Sequence, residues 1–93
     1  MAAIARHLTI RGRVQGVSYR DWTVKTARAL GLCGWVRNRT DGSVEAMVIG
    51  PEEEVARFIA LARSGPPAAA VAGIEERPCD AQPMTGFEKW PTV

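Results

Sequence analysis

The stretch of sequence that decides the fold is Gly12-Arg13-Val14-Gln15-Gly16-Val17-Ser18-Tyr19-Arg20. It joins an alternating, strand-like run to a helix-like run through glycine and ends on an arginine at the helix entrance. Successive backbone N–H groups in a tight loop form a concave nest for anions, and a helix N-terminus adds unpaired donors and about half a positive charge. Arg20 adds a planar guanidinium that suits phosphate. The stretch therefore predicts a phosphate-binding loop between a strand and a helix.

The residues on either side of this loop predict the first strand and the first helix. From His7 to Val14 apolar and polar residues alternate strictly, which is typical of a half-buried strand. From about Tyr19 to Leu30 a charged face lies opposite an apolar face, as in an amphipathic helix. Ser18 followed by Asp21 fits a loose capping box, so we expect the Ser18 hydroxyl to cap this helix.

The middle of the chain predicts a hairpin and a second helix. Residues 35–39 and 43–49 are β-rich runs, and Asp41-Gly42 between them suits a tight turn because both residues tolerate positive φ. These runs are predicted to be antiparallel neighbours. Pro51 is predicted to stand at the first position of a helix whose first turn is acidic, which the helix dipole favours. Apolar residues recur at helical spacing in Val55, Phe58, Ile59 and Ala62.

The last third predicts a fourth strand and leaves a fifth one open. Residues 64–67, Ser-Gly-Pro-Pro, stop the second helix, and residues 68–77 favour a strand. The order βαββαβ indicates a single α+β domain over residues 1–93, a ferredoxin-like sandwich with two helices on one face of an antiparallel sheet. In segment 84–91, Pro91 fits only a sheet edge or a strand end, so a regular fifth strand is not established.

Length and composition indicate one soluble globule. The 93 residues are 46% hydrophobic and 24% charged, and no apolar run approaches the 18 or so residues of a membrane span. The start of the chain is too short and too soon charged for a secretory signal, so we expect a cytoplasmic protein. Cys33 and Cys79 form no CxxC motif, which predicts two unpaired thiols, although a disulfide stays possible if the fold brings them together.

Charge is distributed unevenly along the chain. The net charge is +2, but residues 1–39 carry eight Lys or Arg against one acid, while residues 40–93 carry four against nine. The basic part is the part that contains the predicted phosphate loop, and such an asymmetry can attract a small anionic substrate. The alternative is that these charges are ordinary solvated faces of strands and helices.

The loop sequence also resembles a known signature, that of the acylphosphatase family. In this signature a glycine, any residue, Val-Gln-Gly-Val, any residue, an aromatic and Arg follow one another, and residues 12–20 fill every position. A second acylphosphatase-like block occupies residues 34–38, Gly-Trp-Val-Arg-Asn, and continues in residues 41–45 and in Gly50-Pro51. The resemblance covers roughly residues 7–77. It implies a metal-free and cofactor-free hydrolase that cleaves small-molecule acyl phosphates to a carboxylate and inorganic phosphate.

The resemblance also implies the site residues. Arg20 and Asn38 would be catalytic: Arg20 would hold the phosphate oxygens, and Asn38 would orient the attacking water through its amide. The substrate-binding residues would be those of the loop, mainly through backbone N–H groups: Gln15, Gly16, Val17, Ser18, Tyr19 and Arg20. Chemistry agrees, because an acyl phosphate already has a good leaving group and needs positioned water and charge stabilisation rather than a strong acid.

Other candidate residues and other functions are less well supported. His7 is the sole histidine and has no thiol or carboxylate near it in sequence, which argues against catalysis; Ser18 lacks the base that a nucleophile needs. Tyr19, Trp22 and Trp35 are expected to pack in the core or at the rim of the site. A non-catalytic anion-binding domain and an RNA-binding module remain alternatives, but the aromatic RNA-binding motif is missing. We expect a monomer with no nucleic-acid or membrane partner.

Overall fold

The computed structural model describes residues 3–82 and 84–93, which form five strands and two helices. In chain order they are β1 (Ile4–Arg13), α1 (Tyr19–Ala29), β2 (Cys33–Asn38), β3 (Val44–Gly50), α2 (Glu52–Ala62), β4 (Ala70–Cys79) and β5 (Phe87–Lys89). The predicted βαββαβ order is confirmed, with boundaries displaced by one to three residues, and a short fifth strand follows it.

The sheet has the strand order β4-β1-β3-β2-β5. The four strands of the predicted βαββαβ order pair antiparallel, which confirms the predicted sheet. The additional strand β5 pairs parallel to β2, so the complete sheet is mixed. β4 forms one edge of the sheet, and the chain then crosses to the opposite edge, where β5 joins β2. Pairing ends at Lys89, two residues before Pro91, which has no N–H to donate to a neighbouring strand.

Both helices cover one face of the sheet, where they enclose the core. α1 packs on β2 and β5, and α2 packs on β1 and β3. The buried positions of the two helices are those that the helical spacing predicts, namely Tyr19, Thr23, Ala27, Val55, Phe58, Ile59 and Ala62. The strands contribute alternate residues to the same core: Leu8, Ile10, Val36, Val44, Ala46 and Val48.

The strict alternation of β1 is broken just before the phosphate loop. The register with β4 shifts between Arg11 and Gly12, which is a β-bulge, and Gly12 is exposed rather than buried. Gly12 has φ +124°, and a Cβ there would lie 2.3 Å from the carbonyl oxygen of Ala70. Only glycine fits at this close approach. The bulge bends the end of β1, and Val14 returns to the buried side at the start of the loop.

Tyr19 connects the start of α1 to the end of α2. Its side chain is 1% exposed, and its hydroxyl donates a hydrogen bond of 2.6 Å to the carbonyl oxygen of Ala62. Burial raises the pKa of this hydroxyl, so it remains a donor at all ordinary pH values. The residue is part of the core, as the sequence predicts, and it also lines the site described below.

We expect Tyr19→Phe to lower the free energy of unfolding by about 1–2 kcal/mol, because the carbonyl of Ala62 loses its buried donor. Urea unfolding of both proteins measures this difference. Thr23→Val is the matched control: the Thr23 hydroxyl is buried and has no partner within residues 3–82 and 84–93, so its loss should be neutral or stabilising. Equal stability of Tyr19→Phe and the wild type would contradict the assignment.

Candidate active site

The loop between β1 and α1 has the backbone of an anion nest. Gly16 has φ +73°, and Ser18 has φ +64°, which makes Ser18 the one non-glycine residue of the described chain in the left-handed region. None of the backbone amides of residues 15–18 donates a hydrogen bond to a backbone carbonyl of the described residues. Alternating backbone conformations of this kind turn consecutive N–H groups toward one point. The left-handed backbone conformation costs free energy in any residue other than glycine, and such strained residues are typical of functional sites.

Ser18 occupies the N-cap position of α1, but its hydroxyl forms no capping hydrogen bond. The predicted capping box is therefore wrong. An N-cap side chain normally reaches the helix amides from an extended backbone, whereas Ser18 is left-handed. The free amides of the first helical turn consequently remain available to a ligand, together with the positive end of the helix dipole.

A cavity of about 240 Å³ lies between this loop and the end of β2. Its lining contains Arg20 and Asn38, which are 18 positions apart in sequence and which the fold brings to one site. The complete lining is Val14, Gly16, Ser18, Tyr19, Arg20, Asp21, Asn38 and Lys89. Of the predicted loop residues, Gln15 and Val17 do not line the cavity. Val17 packs its side chain against the core, so its contribution to a ligand would be limited to its amide.

The guanidinium of Arg20 is half-buried and forms no salt bridge with any residue of the described ranges. The neighbouring carboxylate is occupied elsewhere, because Asp21 accepts a hydrogen bond of 2.9 Å from Lys89 Nζ. This bond and the charge of Lys89, with a smaller contribution from Arg20, hold the pKa of Asp21 below its ordinary value. The positive charge of Arg20 is thus left for a ligand in the cavity.

Asn38 is the last residue of β2, and its side-chain oxygen is buried. Its Oδ1 has no hydrogen-bond partner among the residues that the structure describes. Its backbone is held firmly, since the carbonyl oxygen accepts from the Val93 amide at 3.1 Å. An unpaired buried acceptor costs about 1–3 kcal/mol, and such atoms in a folded protein call for an explanation. Asn38 also lines the anion cavity, and an amide oxygen without a protein partner is chemically suited to accept a hydrogen bond from a water molecule.

Gln15 links the two halves of the site. Its Nε2 donates to the carbonyl oxygens of Arg39 at 2.7 Å and of Ser43 at 2.9 Å, both in the turn that follows Asn38. The sequence left open whether this residue contributes more than its backbone, and the structure shows that its side chain ties the phosphate loop to the β2–β3 turn. The position of Arg20 relative to Asn38 therefore depends on this amide.

His7 has no carboxylate near it in sequence, but the fold brings one into contact with it. On the sheet face opposite the helices, His7 Nε2 lies 2.6 Å from Glu45 Oε2. Arg37 Nε and Arg39 Nη1 donate to the other oxygen of Glu45, at 2.6 and 3.1 Å. Arg37 and Glu45 lie on the predicted hairpin of β2 and β3, whereas His7 lies on β1, whose pairing with β3 the sequence spacing does not show. None of the four lines the cavity.

We expect this cluster to make stability depend on acid pH. Burial by itself would raise the pKa of Glu45, but the hydrogen bonds from His7, Arg37 and Arg39 outweigh it, and the pKa lies below its ordinary value of 4.5. A depressed pKa in the folded state stabilises the fold above the unfolded-state value, and this contribution disappears as pH falls through the folded-state value. Melting temperatures between pH 7 and pH 3 should fall more steeply for the wild type than for Glu45→Gln. Parallel curves would contradict this account.

The remaining sequence predictions concern membranes, metals and thiols. No helix within residues 3–82 and 84–93 is long and apolar enough to cross a membrane. The same residues contain no group of three His, Cys, Asp or Glu side chains that could hold a metal ion. Cys33 and Cys79 are both free and half-buried, which agrees with the prediction of unpaired thiols.

Fold and site together define a ferredoxin-like α+β domain with an anion cavity at the N-terminus of its first helix. The acylphosphatase family model matches residues 6–89. An acylphosphatase of Azoarcus sp. (strain BH72) is 58% identical over 88 residues, covering 95% of this chain and 90% of that protein. The structure of an acylphosphatase from Coxiella burnetii superposes with a TM-score of 0.92 at 31% identity, covering 95% and 93% of the two chains.

The chain belongs to the acylphosphatase family. A third similarity concerns a much longer protein: the structure of full-length HypF in its phosphate- and nucleotide-bound form matches with a TM-score of 0.90 at 26% identity. That match covers 98% of this chain but 12% of the HypF chain. The same domain therefore also occurs as a small part of a larger protein.

Proposed function

We propose that this protein hydrolyses the carboxyl–phosphate bond of acyl phosphates by attack of a water molecule that Asn38 positions on a phosphate held by Arg20 and the 15–20 loop. The reaction is that of the family to which the chain belongs, since its relatives along nearly their whole length are acylphosphatases. The products are a carboxylate and inorganic phosphate.

The observation that carries the residue assignment is that Asn38 and Arg20 line the same cavity and that no described residue is hydrogen-bonded to the Oδ1 of Asn38. An amide oxygen accepts a hydrogen bond from water and thereby fixes the direction of its lone pair. Because an amide has no useful basicity, Asn38 would act by orienting the water and not by removing its proton.

The phosphate would be held by the loop amides, the N-terminus of α1 and the guanidinium of Arg20. These donors are fixed before the substrate binds, and they face the equatorial oxygens on which charge accumulates in phosphoryl transfer. As the bond from the water oxygen to phosphorus forms, the bond from phosphorus to the acyl oxygen breaks. The carboxylate leaves without protonation, because it is a weak base, and the water proton passes to a phosphate oxygen.

The second candidate is a phosphate-binding domain without catalytic activity. The observation that favours it is the match to a small part of HypF, where the domain belongs to a larger chain. The same cavity would then bind a phosphorylated ligand without turnover.

As part of our main proposal the protein acts in the cytoplasm as a monomer, without a nucleic-acid partner. Its two free thiols support that compartment.

Phosphate release from acetyl phosphate and benzoyl phosphate distinguishes the candidates. We expect saturable turnover that inorganic phosphate inhibits competitively, because the product occupies the same cavity. p-Nitrophenyl phosphate, a phosphate monoester whose leaving group is more basic, is the control and should be hydrolysed far more slowly. Phosphate binding with no release from either acyl phosphate would favour the non-catalytic alternative.

A further inference from the structure

A second hollow of about 610 Å³ lies directly beside the phosphate cavity, on the outer face of α1. We refer to it as the α1 trough. It shares Ser18, Asp21 and Lys89 with the cavity, so these three residues form a common boundary. Beyond them the α1 trough offers an apolar surface that includes Trp22 and a set of basic side chains that includes Lys25.

We propose that the α1 trough is the acyl-group subsite and that it favours acyl phosphates whose acyl part carries a second negative charge. The inference rests on the proposed function, because it assumes that the phosphate group occupies the adjoining cavity. A phosphate held at the N-terminus of α1 directs its acyl substituent toward the cavity mouth. Lys89 lines both the cavity and the α1 trough, so an acyl substituent that leaves the cavity past Lys89 enters the trough.

The charged residues of the α1 trough favour an acyl group with a second negative charge. The lining contains three cations, Lys25, Arg28 and Lys89, and one carboxylate, Asp21. Lys89 is paired with Asp21 at 2.9 Å, and Arg28 donates to the carbonyl oxygen of Phe87 at 2.9 and 3.2 Å.

Lys25, in contrast, is exposed and forms no salt bridge with any residue that the structure describes. It is therefore free to meet an anionic group at the far end of the acyl part. The apolar ring of Trp22, tilted against Tyr19 with centroids 5.5 Å apart, offers a rigid surface for the body of the acyl group.

A matched pair of substrates tests the proposal: benzoyl phosphate and 4-carboxybenzoyl phosphate, which differ by one distal carboxylate. The measured quantity is the ratio of kcat/KM for the carboxylated substrate to that for benzoyl phosphate. We expect Lys25→Gln to lower this ratio by about 1.5- to fivefold, the range of an exposed ion pair. Asp21→Asn should raise it, because that change removes the one carboxylate that opposes the substrate's charge. The effect of Lys25 should shrink as salt is raised.

Arg77→Gln is the control for net charge, since Arg77 lies on β4 at the opposite edge of the sheet and is three-quarters exposed. It should leave the ratio unchanged. If benzoyl phosphate is hydrolysed but the ratio is the same in Lys25→Gln, Asp21→Asn and wild type, the subsite is wrong while the proposed function stands. If the wild type hydrolyses neither acetyl phosphate nor benzoyl phosphate, the proposed function fails and the subsite with it.

Discussion

Replacing Asn38 by alanine is expected to lower kcat for acetyl phosphate by about 10²- to 10³-fold, the usual cost of removing one preorganised polar group from an active site. The inhibition constant of inorganic phosphate should stay close to that of the wild type, because Arg20 and the loop amides remain. Steady-state kinetics with phosphate as competitive inhibitor measure both quantities.

The free energy of unfolding of the Asn38→Ala variant distinguishes a loss of catalysis from a general folding defect. The Oδ1 of Asn38 is buried and has no partner in the described chain, so its removal should leave the free energy of unfolding unchanged or raise it. A variant that is at least as stable as the wild type, binds phosphate and hardly turns over is the expected outcome. Unchanged kcat would contradict the assignment of the water to Asn38.

Replacing Arg20 by methionine is expected to affect binding and turnover together. The variant loses the one guanidinium of the cavity lining, so phosphate should inhibit only weakly and kcat/KM should fall by about 10³-fold or more, as when arginines that stabilise phosphoryl transfer are removed. Arg20→Lys keeps the charge but not the planar fork, and we expect it to recover only part of the loss.

Arg13→Met provides the matched control. Arg13 belongs to the same signature and is exposed at the end of β1, outside the cavity lining. Its replacement removes the same charge from the same end of the chain, so a long-range electrostatic effect would lower activity in both variants. We expect Arg13→Met to retain nearly full kcat/KM. Wild-type kcat in Arg20→Met would overturn the mechanism.

The loop and the helices were predictable because their signals are local. Alternation in β1, the apolar stripe of α2 and the Asp41-Gly42 turn depend on residues within one or two turns of one another. The placement of Arg20 at the entrance of α1 follows from the same reasoning. The role of Asn38 was predicted from the resemblance of residues 34–38 to the second family block, and it stays a prediction; the structure shows that Asn38 and Arg20 line one cavity.

Predictions that depended on exact backbone conformation were less successful. Ser18 has the residue type of a helix cap, but the nest requires a left-handed backbone at that position, and the hydroxyl does not cap. Gly12 continues the alternation of β1 in sequence, yet a bulge places it outside the core. In both cases the local preference is overridden at the point where β1 has to turn into the loop.

By itself the sequence determined the order of strands and helices, the position of the phosphate loop and the basic character of the chain around it, because periodicity, turn residues and charge act over short distances. Only the tertiary structure decided that β5 pairs parallel with β2 and so brings Lys89 into the lining of the cavity. It also decided that Gln15 ties the loop to the turn after Asn38 and that Glu45 meets His7. These contacts join residues 24 to 53 positions apart. They depend on the order of the strands in the sheet, which no local sequence pattern shows.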